Sequence, residues 1–407
     1  MKTKRVHLHW ALTAIITLLA GCREKAEKPA PAALPSQPME TVSRDEAAGA
    51  PSAHAPTATL IDFSELDRFL SKHSGLFRHA EVLIRKDGKV IYTYGDVNTP
   101  VNAASCSKWL GAAAIMKLVE EGRLDLDASA ADYLIHCPHR LQSLTLRKLL
   151  SHTSGLKPPK LDEGAVFSDL PFRRSVYSRL HFRKEKEPAF CYNNLGFNFA
   201  GEIASTAVHK AWSTLFQDGI AIPLGMGHTW FPNHKPTPAG GAHVSAADYS
   251  RFLEMFRMGG ISMEGRRVLK PETIAEMLKN QTPGLPLECV PRPSKRKESY
   301  GLGVWREGGG EIPRLASHFG SEGYKVFLDF CRDLSAVFAM EYRGGRKRQG
   351  RDMTRSIYDI VERAIPVNAS CAAPPDAKDN QWTPPMRPPE SPPLDPAGSP
   401  PTKPPSD

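Results

Sequence analysis

Segments typical of β-strands lie at both ends of the central part of the chain, and segments typical of helices lie between them. Near its beginning, apolar runs at 82–84 and 90–92 flank an Asp87-Gly88 pair, which is a strong hairpin signal. Near its end, residues 331–333 join two further runs into a second predicted hairpin. This order predicts an α+β fold, in which an antiparallel sheet of N- and C-terminal strands is flanked by helices and an all-helical subdomain is inserted. The C-terminal strands are expected at 301–305, 324–330 and 334–342.

Composition sets the limits of the folded domain. Hydrophobic residues make up 41% of the 407 residues, which is enough for a sizeable core and excludes wholesale disorder. We expect the globular domain at 61–366. Residues 367–407 contain 13 of the 36 prolines, which predicts an extended, disordered tail. Apolar periodicity predicts helices at 63–70, 105–121, 146–150, 197–207, 248–258 and 351–364.

The N-terminus has the features of an export signal. A basic start at 1–5 precedes an apolar run at 10–20, which is too short to span a bilayer stably. The run ends in Leu19-Ala20-Gly21-Cys22, which resembles a bacterial lipobox, so we expect a signal peptide at 1–21 and a lipid on Cys22. A plain cleaved signal peptide and an uncleaved anchor helix are the alternatives. All three place the domain outside the cytoplasm, and the lipobox predicts a lipid anchor in the bacterial envelope with a flexible tether at 22–60.

Charge and cysteine content exclude some function classes. The net charge of +9 is compatible with nucleic-acid binding, but an exported protein does not meet cytoplasmic DNA or RNA, so we expect no nucleic-acid partner. The residue after Cys22 is Arg23 and not Asp. In lipoproteins this resembles outer-membrane sorting, so we expect the protein on the periplasmic side of the outer membrane. Seven cysteines are too few for a disulfide scaffold. No pair has Cys-x-x-Cys spacing, which argues against a thiolate zinc site.

A Ser-x-x-Lys pattern is the first candidate for catalysis, because Gly-x-Ser-x-Gly, His-Glu-x-x-His and Walker signatures do not occur. The pattern occurs three times, as Ser105/Lys108, Ser154/Lys157 and Ser294/Lys297. Only the first opens a predicted buried helix. There, residues three apart share a face, so Lys108 can reach the hydroxyl of Ser105. Helix N–H groups favour negative charge beside Ser105, although a helix cap and a surface lysine are the structural alternatives.

Two further motifs follow in order along the chain. Tyr192-Asn193-Asn194 is the only Tyr-x-Asn sequence, and it precedes a predicted helix. His318-Phe319-Gly320 precedes a predicted strand near the C-terminus. Taken singly, each has a structural interpretation, as a tyrosine at the edge of the core and as a hydrogen-bonded histidine in a strand.

The ordered set resembles the serine β-lactamase and penicillin-binding protein superfamily, particularly its class C and esterase-like branch. Ser105–Lys108 is similar to the family's Ser-x-x-Lys, and Tyr192–Asn194 to its Tyr-x-Asn. His318–Gly320 occupies the place of its Lys-Thr-Gly or His-x-Gly motif. The resemblance covers about residues 62–365. Supporting segments are Leu149–Leu156, Pro223–Met226 and Tyr300–Gly303.

The resemblance implies a mechanism through an acyl-enzyme, without a metal or an organic cofactor. Ser105 would attack an ester or amide carbonyl of a small-molecule or peptide substrate. Either a neutral Lys108 or a Tyr192 phenolate would take its proton, and Tyr192 would protonate the leaving group. Asn194 would bind Lys108 and the substrate. The oxyanion hole would consist of the backbone N–H groups of Ser105 and of Ser321, which follows Gly320.

One departure from the family pattern bears on the substrate. Lys-Thr-Gly is absent, and a histidine in its place is mostly neutral near pH 7. A fixed lysine would attract the carboxylate of a β-lactam or a D-Ala-D-Ala peptide, so His318 favours an esterase, an amidase or a D-amino-acid peptidase. A penicillin-binding D,D-peptidase or β-lactamase is the first alternative, and a catalytically silent cell-wall binding module is the second.

Two further sets of residues lie in or beside the motifs. His152 invites pairing with Ser105 as a Ser-His dyad, but in the family its stretch is a structural element, so we expect a structural role. Cys106 and Cys191 adjoin two catalytic positions. We expect two small buried hydrophobes there, with a disulfide between them as the alternative.

Overall fold

The computed structural model describes residues 61–134, 137–157, 181–183, 188–232, 237–291, 298–343 and 347–367. The α-helices in these ranges are α1 (Ser64–His73), α2 (Ser107–Glu120), α3 (Leu146–Leu150), α4 (Asn194–Val208), α5 (Trp212–Phe216), α6 (Ala246–Arg257), α7 (Pro271–Leu278) and α8 (Lys347–Ala364). The strands are β1 (Phe77–Lys86), β2 (Lys89–Tyr94), β3 (Val101–Asn102), β4 (Phe190–Cys191), β5 (Thr229–Trp230), β6 (His243–Val244), β7 (Leu287–Glu288), β8 (Glu298–Tyr300), β9 (Trp305–Glu307), β10 (Leu315–Phe319), β11 (Lys325–Asp329) and β12 (Leu334–Tyr342).

The main sheet joins the two ends of the domain, as the sequence predicts. Its seven strands run in the order β2-β1-β12-β11-β10-β9-β8, and every neighbouring pair is antiparallel. The hairpin β1–β2 turns at Asp87 and Gly88, with φ of 50° and 76°, which are the positive values that a type I′ turn requires. The fold is therefore α+β, with an antiparallel sheet flanked by helices and with most of the helices between its N- and C-terminal strands.

Helices cover both faces of this sheet. On one face, α1 and α8 pack against side chains such as Val82 and Ile84. On the other, Leu83 joins the larger core, which contains α2, α4 and α6. The run 82–84 is buried at every position because alternate side chains point into two different cores. None of the helices in the described ranges combines the length and apolar character needed to cross a bilayer.

One strand prediction was wrong, and one motif lies further inside the sheet than expected. Residues 301–304 form a tight turn between β8 and β9, with a hydrogen bond from Gly301 N to Val304 O of 2.9 Å. The φ of 79° at Gly303 belongs to that turn and not to an extended strand. His318 and Phe319 lie inside β10 and do not precede it. The signal segment, the tether and the Pro-rich tail from residue 368 onwards lie outside the described residues, so those predictions stay predictions.

Candidate active site

Ser105 lies in a tight turn between a short strand and a long buried helix. Strand β3 ends at Asn102, whose Oδ1 accepts a hydrogen bond from Ala104 N at 2.7 Å. Ala104 has a φ of 44°, an uncommon conformation for a residue with a Cβ. A 3₁₀ turn at Ala104–Cys106 then leads into α2. The turn leaves Ser105 only half-buried while its two neighbours are buried, so the hydroxyl is presented at the start of the helix.

Lys108 is fully buried and donates to neutral acceptors. Its Nζ lies 3.3 Å from Ser105 Oγ, 2.7 Å from Asn194 Oδ1 and 2.7 Å from the backbone oxygen of Ala239. Within the described part of the chain, no carboxylate forms an ion pair with this amine. The Lys108 side chain therefore reaches the Ser105 hydroxyl, as the spacing predicts.

Burial changes the proton affinity of the Lys108 amine. Removal from water disfavours the ammonium form and lowers the pKa of Lys108 from its ordinary 10.5 to about 7, with a smaller opposing effect of Cys106. A lysine with that pKa is partly deprotonated near neutrality. Lys108 can therefore accept a proton from the hydroxyl that it contacts.

Tyr192 and Asn194 lie over Lys108, on the segment between β4 and α4. The Lys108 Nζ is 4.8 Å from the centroid of the Tyr192 ring. That ring is stacked against Trp305, with centroids 5.8 Å apart and an angle of 21° between the planes. The Oδ1 of Asn193 accepts from the backbone N of residue 196 at 2.8 Å and caps α4, which orients Asn194 in the first turn. The structure thus brings Ser105, Lys108, Tyr192 and Asn194 together.

His318 lies behind the Tyr192 ring and is not exposed to solvent. The residue is fully buried. Its ring centroid is 6.3 Å from that of Tyr192, and its Nε2 lies 3.4 Å from the Tyr300 hydroxyl. Its Nδ1 accepts from Phe319 N at 2.9 Å. This placement makes His318 a support for the Tyr192 wall of the site.

Gly320 and Ser321 lie just after β10, beside the turn that carries Ser105. A Cβ at Gly320 would lie 2.6 Å from the Ala103 oxygen and 3.1 Å from the Ala104 Cβ, so glycine permits an approach that a larger residue would prevent. Ser321 is exposed, and its Oγ donates to the neighbouring carboxylate of Glu322 at 3.2 Å. The two predicted oxyanion residues therefore lie on neighbouring segments.

The other candidates from the sequence do not join this cluster. Ser154 is buried in the loop after α3, where its Oγ accepts from Leu156 N at 3.3 Å. Ser294, Lys297 and Cys22 lie outside the described residues. Among the residues that the structure describes, no group of three or more His, Cys, Asp or Glu side chains is placed to hold a metal ion.

Sequence comparison agrees with this geometry. A family model described as Beta-lactamase matches residues 67–358, which is well over half of the chain. The chain belongs to the β-lactamase family. Proteins with this fold are serine acyl-transferring hydrolases, and the three motifs occur here in the order that the resemblance implies.

Individual relatives place the chain in the same superfamily. Protein flp of Staphylococcus aureus (strain MW2) is 30% identical over 177 residues, which is 37% of this chain and 34% of that protein. The chain thus spans about a third of the length of this group of curated relatives. Penicillin-binding protein 4 of Amycolatopsis lactamdurans is 25% identical over 72% of this chain and 82% of its own length. A crystal structure of a candidate β-lactamase from Bacteroides dorei DSM 17855 has a TM-score of 0.64 at 27% identity, covering 75% of this chain and 99% of that one.

The cysteine prediction for this β-lactamase-family domain was wrong at one position. Cys191 forms a disulfide with Cys289, with Cα atoms 4.7 Å apart. Cys106 is buried and is not disulfide-bonded, as expected for a small hydrophobe. Strand β4 pairs with β7, which places Cys191 opposite Glu288 and next to Cys289. A pairing between two-residue strands, with the cysteines 98 positions apart, leaves no signal in either local sequence.

Several residues that shape the site lie outside the three sequence motifs. The Ala239 backbone oxygen, which accepts from Lys108, comes just before a Gly-Gly pair, and such a pair is a sign of close backbone approach. A Cβ on Gly303 would lie 2.7 Å from the Lys108 oxygen, so the packing of the turn at 301–304 on α2 depends on that glycine. Trp305, the stacking partner of Tyr192, belongs to no motif.

Proposed function

We propose that this protein is an envelope-anchored serine hydrolase that cleaves an ester or an amide through an acyl-enzyme on Ser105. The observation that carries the proposal is the contact between Lys108 and Ser105, at 3.3 Å, in a setting where burial lowers the pKa of Lys108 to about 7. A hydroxyl beside a partly neutral amine is an activated nucleophile. Because Lys108 contacts the hydroxyl directly, we assign it as the base for acylation.

The reaction follows from these positions. Ser105 Oγ forms a bond to the substrate carbonyl carbon while its proton passes to Lys108 Nζ. The backbone N–H groups of Ser105 and Ser321 stabilise the oxyanion, an effect of about 3 kcal/mol per donor. The bond to the leaving alcohol or amine then breaks, and the proton held by Lys108 reaches the leaving group through the Tyr192 hydroxyl. Water, deprotonated by the same pair, cleaves the acyl–Ser105 ester and regenerates the hydroxyl.

The third motif favours esters, amides and D-amino-acid peptides over β-lactams. A histidine replaces the lysine of Lys-Thr-Gly, and His318 is fully buried behind Tyr192. It therefore presents no cation to a substrate carboxylate at this position. A substrate without an essential carboxylate fits this wall better.

The test is activity of the purified domain against a panel of activated esters, D-amino-acid amides and β-lactams. We expect ester or amide hydrolysis together with an acyl adduct on Ser105, seen as a mass increase of the intact protein. The Ser105→Ala variant is the matched control and should form no adduct. An inert wild-type domain whose Ser105 also resists serine-reactive probes would refute the proposal and leave a cell-wall binding module.

A penicillin-binding D,D-peptidase or β-lactamase is a second candidate. It is favoured by the similarity to penicillin-binding protein 4 of Amycolatopsis lactamdurans, which extends over 72% of this chain. Labelling with a fluorescent penicillin separates the two candidates. Stable labelling of wild type but not of Ser105→Ala indicates the penicillin-binding alternative, and β-lactam turnover indicates a β-lactamase.

Envelope anchoring is proposed from the N-terminal sequence. The order of basic start, apolar run and Leu19-Ala20-Gly21-Cys22 supports lipidation of Cys22. Metabolic labelling with a palmitate analogue should mark the wild-type chain. The Cys22→Ala variant should lose the label and leave the membrane fraction, and equal labelling of both would contradict the anchor.

A further inference from the structure

His152 contacts the backbone on both sides of Tyr192. It follows α3, is buried, and has a φ of 59°, a left-handed conformation that histidine adopts more readily than most residues. Its backbone oxygen accepts from Cys191 N at 2.9 Å. Its ring Nδ1 accepts from Asn193 N at 3.4 Å. One residue therefore holds the backbone on both sides of Tyr192.

The His152 ring also supports the Tyr192 ring directly. The two ring centroids are 4.5 Å apart. Three more aromatic rings surround the imidazole, at centroid distances of 5.0–5.5 Å: Phe190, Phe197 and Tyr300. Among the described residues, its Nε2 has no hydrogen-bond partner. The imidazole thus packs against the Tyr192 ring. Among the described residues, its polar contact is the hydrogen bond that Nδ1 accepts from Asn193 N.

The geometry requires a neutral ring. Nδ1 accepts the Asn193 N–H only when it carries no proton, so the proton belongs on Nε2. Burial lowers the pKa of His152 well below its usual range, and the nearby Lys108 and His318 act in the same direction. The other titratable groups that face the ring, Tyr192 and Tyr300, are uncharged in their protonated forms. His152 therefore stays an acceptor across the pH range in which Lys108 titrates.

The support continues through the chain to Lys108. The Asn193 side chain donates to Cys191 O at 2.9 Å and caps α4. This cap sets the position of Asn194, whose Oδ1 accepts from Lys108 Nζ at 2.7 Å. A shift of the Asn193 backbone would move both Tyr192 and Asn194 away from the amine and admit water.

We propose that His152 is a positioning residue that holds the Tyr192–Asn194 segment over Lys108, through its neutral Nδ1 acceptor and its ring. It is not the base of a Ser-His dyad, because its Nδ1 is engaged by the Asn193 backbone. The proposal rests on the proposed hydrolysis at Ser105 only for its kinetic readout. The pH dependence of the free energy of unfolding is a second readout and needs no substrate.

Two substitutions separate the acceptor from the ring. His152→Asn retains an acceptor near the Nδ1 position and tolerates the left-handed backbone. His152→Phe retains an aromatic ring against Tyr192. It removes the Nδ1 acceptor and leaves the Asn193 N–H without its hydrogen bond. For His152→Phe we expect kcat to fall by about tenfold or more with KM changed by less than about threefold, and for His152→Asn a loss of kcat within about threefold.

The pH at which Lys108 titrates distinguishes positioning from simple loss of folding. When the Tyr192–Asn194 segment moves in His152→Phe, water reaches Lys108 and its pKa rises toward the ordinary 10.5. The midpoint of the acid limb of kcat/KM then moves to higher pH. The free energy of unfolding, measured without substrate from about pH 7 to pH 10, loses part of its increase with pH.

The outcomes are distinct. A shifted midpoint in His152→Phe, with His152→Asn close to wild type, supports the proposal. An unshifted midpoint and an unchanged pH slope of stability in His152→Phe overturn it, even if the variant is less stable, because then His152 contributes only to folding. A wild-type domain that shows the pH slope but hydrolyses nothing refutes the proposed function, and the stability data alone then decide the role of His152.

Discussion

Arg332 and Lys108 are both buried, but the groups that accept their hydrogen bonds differ in charge. Arg332, below the sheet beside α8, donates from Nη1 to the buried carboxylate of Asp329 at 2.7 Å and from Nε to the Ile365 oxygen at 2.9 Å. Lys108, on the other side, donates to a hydroxyl, an amide oxygen and a backbone oxygen, all of them neutral. The carboxylate compensates the charge of the Arg332 guanidinium, which arginine keeps in proteins, whereas burial among neutral acceptors allows the Lys108 amine to lose its proton.

The two sides of the sheet differ in whether their buried charged groups serve stability or chemistry. The α1/α8 side combines an apolar core with a paired ion, so removal of a side chain there should cost folding free energy. The α2 side buries Lys108 and His152, whose hydrogen bonds among the described residues go to neutral groups. We expect such a site to lower the free energy of unfolding while it makes the buried groups reactive.

The largest expected effect is on catalysis at Lys108. We expect Lys108→Met to lower kcat/KM by about a thousandfold, since a general base contributes on the order of 10²–10⁴. The folded protein should be more stable by about 1–3 kcal/mol near pH 7, because an unpaired buried amine is replaced by an apolar chain of similar volume. Enzyme assays and urea unfolding measure the two quantities.

The sign of the stability change depends on pH. The pKa of Lys108 is about 7 when folded and 10.5 ordinarily, so between these values the unfolded chain binds a proton that the folded one does not. Wild-type stability from this group therefore rises with pH across that interval, and the penalty is complete below it. The gain in Lys108→Met should shrink as the pH rises. If Lys108→Met is less stable than the wild type at pH 6, burial of the Lys108 amine does not carry the expected cost.

The matching change at the paired cation should act in the opposite sense. Arg332→Met leaves the buried Asp329 carboxylate without its partner, so we expect the free energy of unfolding to fall by about 3–5 kcal/mol. kcat per active site, counted by burst titration, should stay within about twofold. Arg363→Ala on α8 is the control, because its ion pair with Glu65 is exposed and worth at most about 1 kcal/mol. Equal effects of the two variants would contradict the assignment.

Removal of the Cys191–Cys289 disulfide should have a smaller effect on stability. Cys289→Ser opens a cross-link between positions 98 residues apart, and we expect a loss of about 2–4 kcal/mol in stability. Because Cys191 adjoins Tyr192, kcat should also fall by several-fold. Reduction of the wild type with a thiol should reproduce both changes, while leaving Cys289→Ser unaffected. If reduction changes stability alone, the disulfide is structural and does not position Tyr192.

The last test needs no variant, because it uses the pH profile of the wild type. If a neutral Lys108 accepts the Ser105 proton, kcat/KM should fall about tenfold per pH unit below a midpoint near pH 7. The assay requires a substrate that does not titrate between about pH 5 and pH 9. A rate that is constant down to pH 5 would show that protonated Lys108 suffices, and the phenolate of Tyr192 would then be the better candidate for the base.

The sequence alone determined the elements whose signals are local. The Asp87-Gly88 hairpin was predicted because its turn requires positive φ, and helix α2 because its apolar residues recur over many positions. The spacing of Ser105 and Lys108 also predicted their contact, because one helical turn is a fixed distance. The strand expected at 301–305 failed because a tight turn packs Gly303 on the Lys108 backbone, a contact that no local pattern reports.

The pKa values and contacts within the site depend on tertiary packing. Four features of the site join segments far apart in the chain. They are the Cys191–Cys289 disulfide, the hydrogen bond from Lys108 to the Ala239 oxygen, the burial of His318, and the contacts of His152 on both sides of Tyr192. Local sterics and periodicity set which elements form. The packing of distant elements sets the dielectric and the hydrogen-bond partners around each group, and these leave the buried Lys108 amine able to lose its proton and give the buried Arg332 guanidinium a carboxylate partner.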